Sequence, residues 1–203
     1  MFKIIKIGIL LTLMVFAFEA GKLWQDKCSL QDTLVRLHVV ADSDSYEDQQ
    51  LKQKVKDAIV AYITPYMKNM DTREKALTFL GEHLEEIRIV GQQVLEEAGV
   101  SDDIKVLLGE KNFSTRDYDT FSLPAGVYQT LQVSIGSGEG KNWWCVAFPT
   151  LCLPTTTEEF ADVAAAAGLN EEMTSTLIKD EEYELRFYFL DQLGKLENLF
   201  SKR

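Results

Sequence analysis

The stretch that decides the fold reads Thr-Leu-Val-Arg-Leu-His-Val-Val and covers residues 33–40. Within it, every second residue from Val35 to Val39 is apolar: Val35, Leu37 and Val39. Arg36 and His38 lie between these positions. Alternation with a period of two is typical of a β-strand, whose successive side chains point to opposite sides of a sheet. We therefore predict a strand with one apolar face in the core and one polar, half-exposed face.

Two adjacent helices are predicted directly after this strand. Residues 42–45, Asp-Ser-Asp-Ser, supply side chains that favour a helix N-terminus, and apolar residues then recur every three or four positions over 46–67. Asp71 and Thr72 are suited to capping a second helix, and Gly99 is a typical C-terminal stop. The acidic outer face of this second helix is expected to be solvated.

Beyond Gly99 the apolar period changes to two, which indicates strands. The predicted strands cover residues 104–108, 128–135 and 143–148. The glycine-rich stretch 136–141 separates the last two strands, and we predict that it is a hairpin connection.

The C-terminal part has a less regular pattern. Residues 155–179 are rich in Thr and then in Ala, and they indicate a loop with short helices. Apolar residues alternate over 183–189 and follow helical spacing over 190–200, which predicts a strand passing into a C-terminal helix. Together the elements predict a single α+β domain over residues 30–203. Its sheet is mostly antiparallel, two adjacent helices follow the first strand, and a helix ends the chain.

Composition and charge support a folded domain and exclude some partners. The chain has 203 residues, of which 46% are hydrophobic and 26% charged, enough apolar material for one medium-sized core. Its formal net charge of -11 repels phosphate backbones and anionic membrane surfaces, so nucleic acid is not an expected partner. With 3 cysteines, the fold must depend mainly on packing.

Residues 1–20 are a different kind of sequence. Lys3 and Lys6 precede an uncharged apolar run, Ile7–Phe18, as in an export signal. The run is shorter than the roughly 20 residues that cross a bilayer comfortably. Ala20 suits the last position before a cleavage site, but an aromatic residue two positions earlier stands where a small one is preferred. The segment is therefore either a signal peptide or a retained N-terminal anchor, and membrane contact is expected only through it.

His38 is the first candidate for catalysis or metal binding. Arg36 lies beside it, and Asp42 and Asp44 follow just beyond the strand, a grouping suited to a metal or a general base. A zinc site usually needs three or four ligands, however, and His83, the other histidine, has no recognisable ligand spacing around it. We expect no catalytic site, metal or cofactor. The alternative is an exported hydrolase that acts on the cell wall with His38 and Asp42 or Asp44.

The stretch 136–141, Gly-Ser-Gly-Glu-Gly-Lys, superficially resembles a phosphate-binding loop. That chemistry needs a helix after the lysine and a Ser or Thr for magnesium. Here Asn142 and two tryptophans follow, in a segment with strand character. A hairpin connection is therefore the better interpretation of these glycines.

The segment that follows contains two tryptophans and two cysteines. Trp143 and Trp144 are neighbours on a predicted strand, so their side chains point to opposite sides of the sheet. One can enter the core while the other anchors a partner at the surface, and the alternative is that both are buried. If the chain turns at the Phe-Pro pair that follows, Cys145 and Cys152 come opposite each other at a distance compatible with a disulfide. Export favours this pairing, because disulfides persist in oxidising compartments.

Three signatures resemble the stage II sporulation protein R family of endospore-forming bacteria. The first is Arg-Leu-His-Val-Val-Ala-Asp-Ser-Asp-Ser at 36–45, and the second is Leu-Pro-Ala-Gly-x-Tyr at 123–128. The third, Gly-x-Gly-Lys-Asn-Trp-Trp-Cys-Val-x-Phe-Pro-x-Leu-Cys, covers 138–152. Ordered signatures over about residues 33–153 are more specific than a lone short motif.

The resemblance implies a role that composition does not reveal. It implies a protein made in the forespore, exported across the forespore membrane and acting in the intermembrane space. There the family activates a membrane-embedded aspartic protease of the mother cell, which processes pro-sigma-E. In this interpretation the chain is a signal and not an enzyme, and the protease is its expected partner.

We expect the surface that contacts the protease at the polar end of the first strand, together with the tryptophan pair. Polar residues cluster where this strand ends, and the hot spots of interfaces favour Trp and Arg. Both segments also carry the family resemblance. The predicted partner-binding residues are Arg36, His38, Asp42, Ser43, Asp44, Trp143 and Trp144.

Overall fold

The computed structural model describes residues 2–150, 152, 156–166, 168–178 and 184–200. The helices in this part of the chain are α1 (Phe2–Thr33), α2 (Tyr46–Met67), α3 (Arg73–Glu82), α4 (Leu84–Glu97), α5 (Thr157–Ala166), α6 (Glu171–Leu177) and α7 (Glu184–Phe200). The strands are β1 (Val35–Val40), β2 (Ile104–Phe113), β3 (Arg116–Asp117), β4 (Ser122–Leu123), β5 (Gly126–Ile135) and β6 (Asn142–Phe148). The predicted α+β class is confirmed.

A four-stranded sheet with the order β2-β5-β1-β6 forms the centre of the fold. β1 is parallel to β5 and antiparallel to β6, and β2 is antiparallel to β5. All of β1 is buried, including Arg36 and His38, so the prediction of a half-exposed polar face is wrong. The physical reason is that this inner strand is covered on both sides, as is typical of strands with a parallel neighbour.

Two apolar clusters cover the two sides of the sheet. On one side Val35, Leu37 and Val39 pack with residues of α2 and α4, among them Ile59 and Ile87. On the other side the cluster contains residues from α1, α5, α6, α7 and the sheet itself: Leu30, Phe113, Tyr128, Val146, Phe160, Met173 and Leu190. The second cluster therefore joins the N-terminal helix to the C-terminal part of the chain.

The helices after β1 agree with the sequence pattern except at one point. α2 has its predicted bounds, and the hydroxyl of Ser45 accepts the backbone N–H of Asp48 at 3.1 Å. The second predicted helix is two helices, α3 and α4, with His83 between them. The His83 ring stacks on Phe79 with 4.1 Å between the centroids, and its backbone leaves the helical conformation. The prediction of one continuous helix is therefore wrong.

The stretch 136–141 is not a hairpin. β5 and β6 are not neighbours, because β1 lies between them, and the stretch instead crosses the end of β1. The N–H of Gly140 donates to the carbonyl of Ala41 at 2.9 Å, and the N–H of Glu139 donates to that of Asp42 at 3.2 Å. The hairpin prediction is wrong because the buried strand β1 takes the place between the two strands.

The C-terminal region differs from the sequence prediction in one element. α5 and α6 lie where a loop with short helices was predicted, but α7 replaces most of the strand predicted over 183–189. Residue 183 lies outside the described residues. Phe187 and Leu190 are buried while the two residues between them are exposed, and this spacing of three selects a helix over a strand.

α1 continues as one helix through Ala20 as far as Thr33. By length and composition its part Ile5–Thr33 is able to cross a membrane, and a signal sequence near the N-terminus fits the same description. The other end of α1 packs on the domain, where the ammonium of Lys27, buried among its neighbours, lies 2.6 Å from the Glu197 carboxylate of α7. One continuous helix thus connects the exposed apolar segment to the folded domain.

Candidate functional site

The predicted site residues in and after β1 form two separate groups of contacts. The first group joins residues 41–44 to the stretch 136–141. Asp42 accepts the backbone N–H of Ser137 at 2.6 Å, and Asp44 accepts that of Lys141 at 2.7 Å. The hydrogen bonds from Ser137 lower the pKa of the Asp42 carboxyl. Both carboxylates therefore hold the stretch 136–141 against the end of β1.

The glycines of this stretch serve the same contact. Gly136 has a φ of +55°, and a Cβ there would collide with the Asp42 carboxylate. A Cβ at Gly140 would collide with the carbonyl of Ser43 and lie 2.9 Å from that of Ala41. Close approach of two loops, and not the binding of a phosphate, explains why the sequence has glycine at these positions.

The second group of contacts surrounds His38, which is 2% exposed. Lys111 Nζ lies 2.9 Å from His38 Nδ1, and Asn142 Oδ1 lies 2.6 Å from Nε2. Because an ammonium group only donates, Nδ1 is the acceptor, and Nε2 carries the proton and donates to Asn142. Burial, together with the nearby positive charges of Lys111 and Arg116, lowers the pKa of His38 to about 4. The imidazole is therefore neutral at pH 7.

The structure does not bring His38 together with Asp42 or Asp44. Both ring nitrogens contact other side chains, and the two carboxylates bond the backbone of the stretch 136–141. The dyad on which the hydrolase alternative depends is therefore not assembled. In the part of the chain that the structure describes, no group of three or more His, Cys, Asp or Glu side chains is arranged to hold a metal ion.

Arg36 is also in the interior, with 0% of its surface exposed. Its guanidinium lies 3.9 Å from the centroid of the Phe113 ring and 5.2 Å from that of Tyr128. Nη2 donates to the Tyr118 hydroxyl at 2.8 Å, whereas Nε and Nη1 have no hydrogen-bond partner among the described residues. Burial lowers the pKa of Arg36 from its usual value. Arg36 thus lies beneath the predicted surface instead of on it.

The two tryptophans point to opposite sides of the sheet, as predicted. Trp143 packs against the cluster of α2 and α4, with Lys56 Nζ 5.0 Å from its ring centroid. Trp144 stacks on His38 at 3.7 Å on the other side. The Arg116 guanidinium lies 4.9 Å from the Trp144 ring centroid. Both tryptophans are half-buried, so each keeps part of its surface exposed to solvent.

The predicted disulfide between Cys145 and Cys152 is present, with 5.2 Å between the Cα atoms. It connects β6 to a bend beyond the end of that strand. Cys28 in α1 is a free, half-buried cysteine. The bridge therefore holds the chain that leaves β6 against the strand that carries both tryptophans.

Sequence reasoning missed three residues of the His38 surroundings: Lys111, Arg116 and Asn142. Lys111 lies in β2 beyond the predicted end of that strand, and Arg116 lies in β3, which the sequence did not indicate. Asn142 is the first residue of β6, and its sequence position gave no sign of a contact with His38. The sequence clue was that Lys111 and Arg116 are basic residues in an acidic chain. A strand prediction that extended beyond residue 108 would have placed them near His38.

Comparisons with known proteins agree with the resemblance. The family model for stage II sporulation protein R matches residues 31–158. A curated relative from Bacillus subtilis (strain 168), named Stage II sporulation protein R, is 37% identical over 123 residues. This match covers 61% of the chain and 55% of the relative, so the chain corresponds to little more than half of that protein's length. No solved structure matches. The chain belongs to the stage II sporulation protein R family.

Proposed function

We propose that this protein is an exported sporulation signal that activates a membrane-embedded aspartic protease, which in turn processes pro-sigma-E. Membership of the stage II sporulation protein R family supports a role in sporulation. The family match over 31–158 is the observation that carries the proposal.

The N-terminal helix supports the exported part of the proposal. Its apolar side chains from Ile5 to Phe18 are exposed, and nothing in the described part of the chain covers them. Such a segment is stable in a membrane or as a signal sequence, and it directs the domain behind it to the far side of the membrane. We assign the domain to the space between the two membranes of the sporulating cell, beyond the forespore membrane.

An activator needs no catalytic group of its own. It has to bind the active arrangement of the protease more tightly than the inactive one, and the difference between the two affinities shifts the protease population. The neutral, stacked His38 and the loop-bound carboxylates of Asp42 and Asp44 are arranged for packing and loop contacts and not for acid-base chemistry. The hydrolase alternative is favoured by no contact among the described residues.

Co-expression in a host that does not sporulate tests the proposal. The host would produce the candidate protease and its pro-sigma-E substrate, with and without this chain, and precursor cleavage would be measured by immunoblot. Cleavage that depends on this chain supports the proposal. Equal cleavage in its absence, or no cleavage with all three proteins correctly localised, contradicts it.

Substitution of His38 separates a signal from an enzyme. His38→Gln keeps a neutral hydrogen-bonding side chain and removes the proton-transfer group. We expect this variant to retain activation and the purified wild-type protein to release no fragments from cell-wall material. Complete loss of activity in a stably folded His38→Gln protein would support the hydrolase instead.

A further inference from the structure

The side of the sheet that carries His38 has a concentration of positive charge. We define the cationic cluster as Arg36, Lys111 and Arg116 with the Trp144 ring. Lys111 Nζ donates to two neutral acceptors, His38 Nδ1 at 2.9 Å and Gln132 Oε1 at 2.8 Å. No ion pair joins these three cations to a carboxylate within the described residues. The chain as a whole, by contrast, carries a formal net charge of -11.

The donors of the cluster are incompletely used. Within the described part of the chain, Nε and Nη1 of the fully buried Arg36 have no hydrogen-bond partner, and neither has the buried Nε of Arg116. Buried polar groups in folded proteins are nearly always paired, and a buried charge requires a partner most of all. Arginine is suited to a carboxylate partner, because its planar guanidinium presents paired N–H donors that a carboxylate accepts.

The cluster continues into a row of side chains across the sheet. The strand registers align Leu107 of β2, Gln132 of β5, His38 of β1 and Trp144 of β6 in one line. Leu107 is 64% exposed at one end of this line, and the half-buried Trp144 lies at the other. A peptide lying along the row meets an aliphatic side chain, an ammonium group and a guanidinium stacked on an indole.

We infer that this face of the sheet binds an acidic segment of a partner protein, with a carboxylate seated between Lys111 and Arg116. An apolar side chain of the same segment contacts Leu107 or Trp144. The apolar ends of the row favour a protein segment over a lipid headgroup or a free phosphate, and the net charge of -11 opposes extended polyanions and anionic membranes. That the segment belongs to the activated protease rests on the proposed function.

A binding experiment on the full-length chain in mild detergent tests the inference directly. The probe is a fluorescein-labelled peptide of alternating Leu and Glu, and its matched control carries Gln in place of Glu. Fluorescence anisotropy should show binding of the Glu peptide that weakens with salt and is about tenfold tighter than that of the Gln peptide. Equal binding of the two peptides overturns the inference. So does binding of inorganic phosphate or of phosphatidylglycerol vesicles without binding of the Glu peptide.

Substitutions locate the site. Lys111→Gln with Arg116→Gln should weaken binding of the Glu peptide about tenfold or more. The control is Lys54→Gln with Lys68→Gln, which removes the same amount of charge elsewhere and should leave binding unchanged. Lys54 is an exposed residue of α2, and Lys68 is the exposed residue that follows this helix. Equal effects of the two pairs would mean that net charge alone governs binding, which overturns the site.

A second measurement does not depend on these variants folding equally well. Saturation with the Glu peptide should raise the pKa of His38 above its value of about 4 in the unbound protein, because a bound carboxylate offsets the neighbouring cations. NMR titration of the His38 ring measures this change. An unchanged His38 titration in the saturated complex contradicts the assignment.

The co-expression assay distinguishes failure of this inference from failure of the proposed function. If the wild-type chain does not activate the protease, the proposed function fails whatever the peptide result. If the wild-type chain activates it and the Lys111, Arg116 double variant activates it equally well, the acidic segment does not belong to the protease. Loss of activation in that variant, with the Lys54, Lys68 control active, supports both.

Discussion

His38 has a different chemistry in the folded protein from that of a histidine in water. Its ring stacks on Trp144, accepts a hydrogen bond from Lys111 and donates one to Asn142. The cost of burying a charge and the repulsion from neighbouring cations both favour the neutral ring. At the scale of single residues, the environment of the sheet has therefore made a titratable group into a neutral packing element.

This environment predicts a pH-dependent stability. The unfolded chain binds a proton at His38 below about pH 6.5, whereas the folded chain binds it only below about pH 4. Acidification through this window therefore favours the unfolded state, and up to about 3 kcal/mol of stability should be lost. Urea unfolding of the wild type and of His38→Gln at several pH values measures the effect.

The His38→Gln protein is the control for all other titrating groups. Carboxylates such as Asp42 titrate in both proteins and therefore cancel in the comparison. The free energy of unfolding of His38→Gln should fall less steeply between pH 6.5 and 4, because the contribution of His38 is missing. Parallel pH profiles for the two proteins would show that His38 is not the neutral group described above.

At the scale of elements, the contact between the end of β1 and the stretch 136–141 holds the sheet in register. Asp42 and Asp44 accept backbone N–H groups from that stretch, and Gly140 lies against the backbone of residues 41–43. The side chain of Lys52 in α2 also donates to the carbonyl of Lys141 at 2.9 Å. Three elements that are distant in sequence are thereby fixed to one another at the edge of the candidate site.

A methyl group should disturb this contact. Gly140→Ala places a Cβ against backbone carbonyls that have little room to move, and we expect a loss of about 2 kcal/mol in the free energy of unfolding. Gly109→Ala is the matched control, because a Cβ at that strand position meets nothing within 4 Å. Thermal or urea unfolding compares the two variants. Equal stability of both would show that the loops are not in close contact.

At the scale of the whole molecule, α1 links the apolar N-terminal segment to the domain. Lys27, Gln31 and the backbone N–H of Val127 all bond the carboxylate of Glu197 in α7. Burial alone would raise the pKa of Glu197, but the hydrogen bonds from Lys27 and Gln31 lower it, so the carboxylate is charged. The exposed apolar segment is thus joined firmly to the domain that follows.

Export is predicted to depend on the apolar character of this segment. Replacing Leu10, Leu11 and Leu13 with Asp adds charges to exposed apolar positions, which signal sequences do not tolerate. The triple variant should remain in the cytosol and should not activate the protease, as measured by fractionation and precursor cleavage. The conservative replacement of the same residues with Ile should be exported. Normal export of the Asp variant would contradict an export role for α1.

The sequence by itself determined the α+β class, the bounds of α2, the apolar character of the N-terminal segment, the Cys145–Cys152 pairing and the family. These depend on local periodicity, on capping residues and on ordered motifs, which are readable along the chain.

Only the tertiary structure decided that β1 lies between β5 and β6, that residues 184–189 are helical, and that Arg36 and His38 are interior. It also decided that Lys111 and Arg116 join Trp144 in one cluster. Strand order and burial depend on contacts between residues far apart in the chain, and a period of two or three does not specify which partner covers a given face.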